Sequence, residues 1–172
     1  MSVTIRHYDH ATDYHDVNDF LISHDSARVA FRVDPAQSGR DELFLVEVAT
    51  PGVATRVNTP TPSSSYDVWN NYRFTADDAR IVYYGDVLRA SYYEVFVTEV
   101  ANLGVSIPIT GDHPHTSVNL PSGIVVGPTG KVFFRTDWNG DGVYEILGAD
   151  ATNPAAGVKV QSPWLGPIDV GA

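Results

Sequence analysis

The residues with the clearest capacity for chemistry form one acidic loop, the nine residues DWNGDGVYE at 137–145. Oxygen donors at positions 1, 3 and 5, a glycine at 6 and a backbone carbonyl at 7 match the first part of an EF-hand calcium loop. The match ends at position 12, where Gly148 stands in place of the usual Glu. The loop therefore predicts either a hairpin with positive φ at its Asn-Gly and Asp-Gly steps or a shortened Ca²⁺ site. The ligands of that site would be Asp137, Asn139, Asp141, Val143 and Glu145.

A second candidate is the histidine pair of the sequence His113-Pro-His115. In a β context the two imidazoles could approach one metal ion, but the spacing matches no established zinc motif. An exposed polar loop is the interpretation that we favour. The sequence contains no Cys, no G-x-S-x-G nucleophile elbow and no Gly-rich phosphate loop.

The third candidate is a group of aromatic residues in the middle of the chain, which includes Tyr84, Tyr92 and Tyr93. Their rings could form an interface or a surface on which a sugar or peptide stacks. Ordinary packing between structural units is the competing interpretation. We assign Tyr84, Tyr92, Tyr93, His113 and His115 to a candidate binding surface.

These candidates lie on a repeated sequence. The segment 22–58 aligns without a gap with 74–110, and eleven of its 37 positions are identical. A more divergent third copy runs from about 125 to 161. Each copy contains four short β-rich runs separated by turn residues, which in the first copy are 20–23, 28–33, 42–49 and 53–57. This pattern predicts an all-β protein built from repeated four-stranded antiparallel units.

The repeat also separates shared residues from special ones. The aspartates Asp34, Asp86 and Asp137 occupy one position of the three copies, and Glu42, Glu94 and Glu145 occupy another. Such shared positions indicate a structural role, so Asn139 and Asp141 are the residues special to the third loop. Tyr84, Tyr92 and Tyr93 replace Arg32, Arg40 and Asp41 of the first copy, so the repeat does not require their aromatic rings.

The units FLISHDSARVAFRV…DELFLVEVATPGVATRVN and YRFTADDARIVYYGD…YEVFVTEV resemble the TolB-type, WD40-like β-propeller repeat. The family's Pro-Asp-Gly turn is replaced here by His-Asp-Ser and Ala-Asp-Asp, and the third copy reads GPTGK. The resemblance implies that each unit is one propeller blade. It leaves function open, because such folds serve as scaffolds, binding modules and accessory domains of peptidases.

We therefore predict one domain with an N-terminal strand and polar segment (1–19), three blades (20–60, 66–110 and 118–161) and a C-terminal tail (162–172). Three blades are too few to close a ring, since propellers have about four to eight. The chain is then half of a six-bladed propeller. Ring closure requires either further sequence or a second copy, and we favour a C2 homodimer.

Composition limits the partners. With 172 residues and a net charge of -10, the chain is expected to repel nucleic acid. No apolar run reaches the roughly 18 residues that span a bilayer. We expect a soluble chain without a visible signal peptide, located in the cytoplasm, or in the periplasm or outside the cell if a signal was removed.

Two functions are compatible with these observations. The favoured one is a non-catalytic binding or scaffold module that presents a central channel or rim loops to a small ligand or protein. The alternative is a hydrolase or lyase with a site assembled at the propeller axis.

Overall fold

A computed structural model describes residues 16–35, 39–60, 66–110, 123–137 and 142–154, and the backbone of 158–159. The N-terminal strand and the C-terminal tail predicted from the sequence fall mostly or wholly outside these residues and remain predictions. No helix within the described part is long and apolar enough to cross a bilayer. One 3-10 turn, Val100–Asn102, is the helical element of these residues.

The described residues form three four-stranded antiparallel sheets, which confirms the predicted fold class. The first sheet contains β1 (Val17–Ile22), β2 (Arg28–Val33), β3 (Glu42–Glu47) and β4 (Ala54–Arg56). The second contains β5 (Val68–Phe74), β6 (Arg80–Gly85), β7 (Glu94–Glu99) and β8 (Ile107–Pro108). The third contains β9 (Ile124–Val126), β10 (Lys131–Thr136), β11 (Glu145–Asp150) and β12 (Val158–Lys159).

Each sheet is a meander in which consecutive strands are neighbours. The registers repeat as well, since Phe31 is opposite Phe44 in the first sheet and Tyr83 is opposite Phe96 in the second. These two aromatic pairs are stacked at 5.9 and 5.7 Å between ring centroids. The three sequence repeats are therefore three copies of one structural unit.

The turn between the first two strands explains one of the conserved repeat positions. Asp25 accepts hydrogen bonds from Ser23 Oγ and Ala27 N at 2.6 and 2.8 Å. Asp77 accepts the equivalent bonds from Thr75 Oγ1 and Ala79 N at 2.6 and 3.1 Å. The recurring aspartate thus closes an Asx turn in each of these two units.

Side chains alternate between two faces along each strand, and neighbouring sheets pack face to face. We call the side turned towards the next sheet the forward face and the opposite side the backward face. One core joins the forward face of the first sheet, including Ala30 and Leu43, to the backward face of the second. The other core joins the second sheet, through Val82 and Val95, to the third.

The first strand of each sheet is the edge at which the sheets converge. β1, β5 and β9 are edge strands of their sheets, and β5 contacts β9. A Cβ added to Gly123, which precedes β9, would lie 2.8 Å from Asn71 Oδ1 of β5. We call β1, β5 and β9 the inner strands.

The strand ends differ from the sequence prediction by a few residues. β1 begins at Val17 instead of Phe20, because Asn18 bonds to Asp41 in the loop before β3 and Asp19 bonds to Arg32 of β2. β3 ends at Glu47 instead of Ala49, since Thr50 N already bonds to Glu47 O in a turn at 3.1 Å.

Candidate functional site

The candidate site is a pair of neighbouring positions on the forward face. The residue types at these two positions differ from sheet to sheet. In the first sheet these positions hold Arg32 and Asp41, whose charged groups are 3.0 Å apart. In the second sheet they hold Tyr84 and Tyr93, whose rings are 5.6 Å apart. The same scaffold therefore supports an ion pair in one sheet and an aromatic pair in the next.

In the first sheet this pair belongs to a closed polar network. Arg32 Nη2 donates to Asp19 Oδ2 at 2.8 Å, and Arg32 Nη1 donates to Val68 O of the second sheet at 3.1 Å. Tyr72 OH donates to Asp19 Oδ1 at 2.6 Å. Burial and the bond to this carboxylate raise the pKa of Tyr72. The network joins two sheets, and sequence inspection gave no sign of it.

In the second sheet the pair is part of an aromatic cluster, which we define as Trp69, Tyr84 and Tyr93. Trp69, on inner strand β5, meets Tyr93 edge to face at 5.8 Å and lies 6.3 Å from Tyr84. Tyr84 is buried, Tyr93 is half-buried and Trp69 is 45% exposed. Burial raises the pKa of Tyr84, and the neighbouring Tyr93 and Asp86 raise it further, so the phenol stays neutral.

The third predicted tyrosine belongs elsewhere. Tyr92 packs under the guanidinium of Arg89, whose carbon lies 3.5 Å from the ring centroid, a cation–π arrangement. The sequence prediction grouped Tyr92 with its neighbour Tyr93. The structure brings Tyr84 and Tyr93 together with Trp69 and records no ring contact of Tyr92 with them among the described residues.

The recurring aspartates lie in the loops between the second and third strands of each sheet. Each accepts a hydrogen bond from a backbone amide of its own loop. Asp34 Oδ2 accepts from Gly39 N at 2.5 Å, and Asp86 Oδ2 accepts from Ser91 N at 2.6 Å. The residues donating these bonds have left-handed backbone, with φ of 76° and 61°. Asp137 Oδ2 accepts in the same way from Gly142 N at 3.0 Å. This position is structural in all three sheets, as the repeat predicted.

The calcium hypothesis concerns this third loop. Asp137, Val143 and Glu145 are among the described residues, whereas Asn139 and Asp141 lie outside them. Within the described ranges no group of three His, Asp or Glu side chains is placed to hold a metal ion. The histidines His113 and His115 also lie outside those ranges, so both metal hypotheses stay predictions.

One contact that the sequence did not reveal joins the turns of the first two sheets. Asp78 is buried at φ 53°, and its carboxylate accepts bonds from His24 N, His24 Nδ1 and Asp25 N at 2.8–2.9 Å. Burial raises the pKa of Asp78, but the bonds from His24 and Asp25 outweigh it and hold that pKa below the usual value. In the first sheet this position is Ser26, which is exposed.

No family model and no curated protein matches this sequence. Several solved structures are similar in fold. A protein described as TolB from Agrobacterium tumefaciens aligns with a TM-score of 0.57 and 18% identity, over 88% of this chain and 48% of that one. A gluconolactonase from Xanthomonas campestris aligns with a TM-score of 0.52 and 12% identity, over 90% and 50% of the two chains. Prolyl oligopeptidase B from Galerina marginata aligns with a TM-score of 0.53 and 14% identity, over 77% and 18%.

These neighbours are β-propellers, and the three antiparallel sheets have the same architecture. The chain therefore has a β-propeller fold. It spans about half the length of the TolB structure.

Proposed function

We propose that this chain is a non-catalytic binding module that receives a side chain of a protein partner on its aromatic cluster. The observation that carries this proposal is the exposure of Trp69, an indole 45% exposed on an inner strand. Large exposed rings held by other rings are typical of recognition surfaces, because they offer contact area at a small cost in conformational entropy.

The buried ring of Tyr84 holds the aromatic cluster in place. Tyr84 is buried in the core shared with the third sheet, and it contacts both other rings of the cluster. The exposed indole therefore rests on a fixed base. In the first sheet the equivalent of Tyr84 is Arg32, so the scaffold itself does not need an aromatic side chain at this position.

Charge indicates the kind of partner. The chain carries a net charge of -10, so its field attracts basic segments and repels acidic ones. We infer that the partner presents an apolar or aromatic side chain in a neutral or basic peptide segment.

The loop carboxylates support a binding role over a catalytic one. Asp86 accepts from two backbone amides, Asp67 N and Ser91 N, both at 2.6 Å. Asp67 in turn accepts from Asp41 N at 2.9 Å. The oxygens of such a carboxylate already accept hydrogen bonds from backbone amides that the fold needs. The carboxylate is therefore poorly placed to take a proton from a substrate.

The alternative, a hydrolase or lyase with a site at the propeller axis, has one observation in its favour. Two of the similar folds are named as prolyl oligopeptidase and gluconolactonase. Release of product from a peptide or lactone substrate, at a rate that exceeds the buffer rate, would favour this alternative.

The binding test uses the ¹⁵N-labelled chain and two small probes. We expect N-acetyl-tryptophanamide to shift the indole Nε1–H signal of Trp69, and we expect methyl β-glucoside to leave that signal unchanged. The Trp69→Leu variant assigns the signal, and it should lose the shifts that the probe causes at Tyr93. Equal response to both probes would indicate a sugar surface, and no response to either would refute the proposal.

A further inference from the structure

The two outermost faces of the three-sheet stack carry apolar side chains that have no neighbouring sheet among the described residues. The equivalent positions of the second sheet, which has a neighbour on each side, are buried. This contrast identifies an interaction surface that is independent of the aromatic cluster.

The forward face of the third sheet shows the contrast most clearly. Phe133 is 39% exposed and Ile146 is 52% exposed. Their equivalents in the second sheet, Val82 and Val95, are fully buried against the third sheet. Val125 lies directly opposite Phe133 in the sheet and is 63% exposed. Three apolar side chains thus form one continuous patch on this face.

The same face also carries an arginine, Arg135, with a buried donor for which the described residues supply no acceptor. Arg135, the equivalent of Arg32, lies over the ring of Tyr144 at 4.1 Å. Its Nε is buried and has no hydrogen-bond acceptor in the part of the chain that the structure describes. Arg32, in contrast, donates from Nε to Asp19 and from Nη1 to the backbone of the next sheet. Arg135 therefore occupies a position where the fold normally supplies acceptors.

The backward face of the first sheet is complementary to this patch. Phe20 and Ile22 on β1 are 66% and 52% exposed, whereas Tyr72 and Phe74, their equivalents on β5, are buried against the first sheet. The side chains of β2 and β3 on this backward face, such as Phe31, are already buried. The open part of the face is therefore the inner strand, the edge at which the sheets converge.

We propose that the forward face of the third sheet docks on inner strand β1 of a second copy of this chain. The chain itself packs a forward face on an inner strand twice, on Tyr72 and Phe74 of β5 and on Ile124 of β9, and in those two contacts the second and third strands of the receiving sheet take part as well. A head-to-tail contact closes into a ring if the rotation between copies allows it. Since the chain spans about half of the TolB structure, two copies supply about the number of blades of that propeller.

In this arrangement the second copy also completes the environment of Arg135. Arg32 reaches the carbonyl of Val68 at the start of β5. Val68 pairs with Gly85, and its equivalent in the first sheet is Val17, which pairs with Val33. Arg135 of one copy would therefore face the backbone carbonyl of Val17 of the second copy. The guanidinium gains an acceptor at this contact, which favours this orientation of the copies over the reverse one.

Light scattering on the purified chain tests the proposal directly. The expected mass is twice the 18.7 kDa of one chain. A monomer at micromolar concentration would overturn the proposal and would leave further blades of a longer chain as the occupant of the patch. A concentration-dependent series of larger assemblies would overturn ring closure by two copies.

A matched pair of variants separates docking from folding. Val125→Glu places a charge on the patch, and Val53→Glu places the same charge at a site that is 69% exposed and precedes outer strand β4. We expect Val125→Glu to raise the dimer Kd at least tenfold and Val53→Glu to leave it within twofold. Both variants should keep the far-ultraviolet spectrum of the parent chain, because both sites are exposed. Equal dimer strength in the two variants would contradict the proposed surface.

The absence of cysteine permits a test of orientation. A mixture of Phe20→Cys and Phe133→Cys chains should cross-link with a short bis-maleimide into a covalent dimer. Each variant alone should not, because in a head-to-tail ring its two thiols lie at opposite contacts. Cross-linking of either variant by itself would indicate a face-to-face contact and would refute the proposed pairing.

Discussion

The carboxylate of Asp78 binds both the backbone amide and the ring of His24, at 2.9 and 2.8 Å, across the boundary between two sheets. The aspartate is buried in a left-handed conformation, whereas the histidine side chain is 61% exposed. A side chain from one repeat therefore completes the turn of the preceding repeat. This contact fixes the first two sheets relative to each other at the end opposite the aromatic cluster.

Replacement of Asp78 tests how much this contact stabilises the fold. Asn tolerates the left-handed backbone, so Asp78→Asn removes the charge without new backbone strain. We expect the free energy of unfolding to fall by about 1–3 kcal/mol, because the donors of His24 and Asp25 lose a charged acceptor. The control is Ser26→Asn, at the equivalent exposed position with φ 59°. It should change stability by less than about 0.5 kcal/mol in urea denaturation, and an equal loss in both variants would contradict the role assigned to Asp78.

The same contact predicts a pH dependence. The pKa of Asp78 is lower in the folded chain than the ordinary 3.8, so the folded state favours the ionised carboxylate. The contribution of this carboxylate to the free energy of unfolding is fully present above its pKa in the unfolded chain. It is lost as pH falls through its pKa in the folded chain. Urea midpoints of the parent chain and Asp78→Asn should therefore differ at pH 7, and the difference should shrink as pH falls below about 4. A difference that does not shrink between pH 4 and pH 2 would rule out this linkage.

Asp86 should prove structural. Its two carboxylate oxygens accept from Asp67 N and Ser91 N, so Asp86→Ala leaves two backbone donors without acceptors. We expect a loss of about 2 kcal/mol or more, measured by thermal and urea unfolding. Glu99→Ala is the comparison, since Glu99 forms an exposed ion pair with Arg80 at 3.2 Å and such pairs contribute about 1 kcal/mol or less. Retained stability in Asp86→Ala would reopen a catalytic role for this carboxylate.

Gly85 marks a close approach within the second sheet. A Cβ at this position would lie 2.4 Å from Asp67 O, which is a backbone atom and cannot rotate away. Gly85→Ala should therefore destabilise the chain by about 1–3 kcal/mol. Gly127→Ala provides the control, because its added Cβ would lie at an ordinary 3.5 Å from Lys131 O. A neutral Gly85→Ala variant would show that the start of β5 can shift.

Calcium binding is best tested at Asp141. Asp137 caps backbone in the same way as Asp34 and Asp86, so its removal would destabilise the loop with or without a metal. We expect Ca²⁺ to raise the melting temperature of the parent chain and to have no effect on Asp141→Asn. EDTA should reverse the shift. A melting temperature of the parent chain that responds to neither Ca²⁺ nor EDTA would remove calcium from the description of this loop.

Sequence reasoning recovered the parts of the structure that repeat. The strands of the first sheet were placed within three residues, and the role of Asp34, Asp86 and Asp137 followed from their recurrence. Recurrence carries this information because a turn or a cap depends on residues close in the chain. Gly85 and Asp78 gave no such signal, since each differs from its equivalents and acts on a partner that the repeat does not identify.

The sequence by itself determined the all-β repeat, the strand alternation and the shared turn residues, because these depend on local backbone preference and on the two-residue period of a strand. Tertiary structure decided which equivalent positions became an ion pair, an aromatic cluster or an arginine over a tyrosine. It also decided which apolar faces meet a neighbour. Phe133 and Val82 are equivalent in sequence, yet one is exposed and the other buried. The physical reason is that burial depends on the next sheet in space, which a local pattern of residues does not contain.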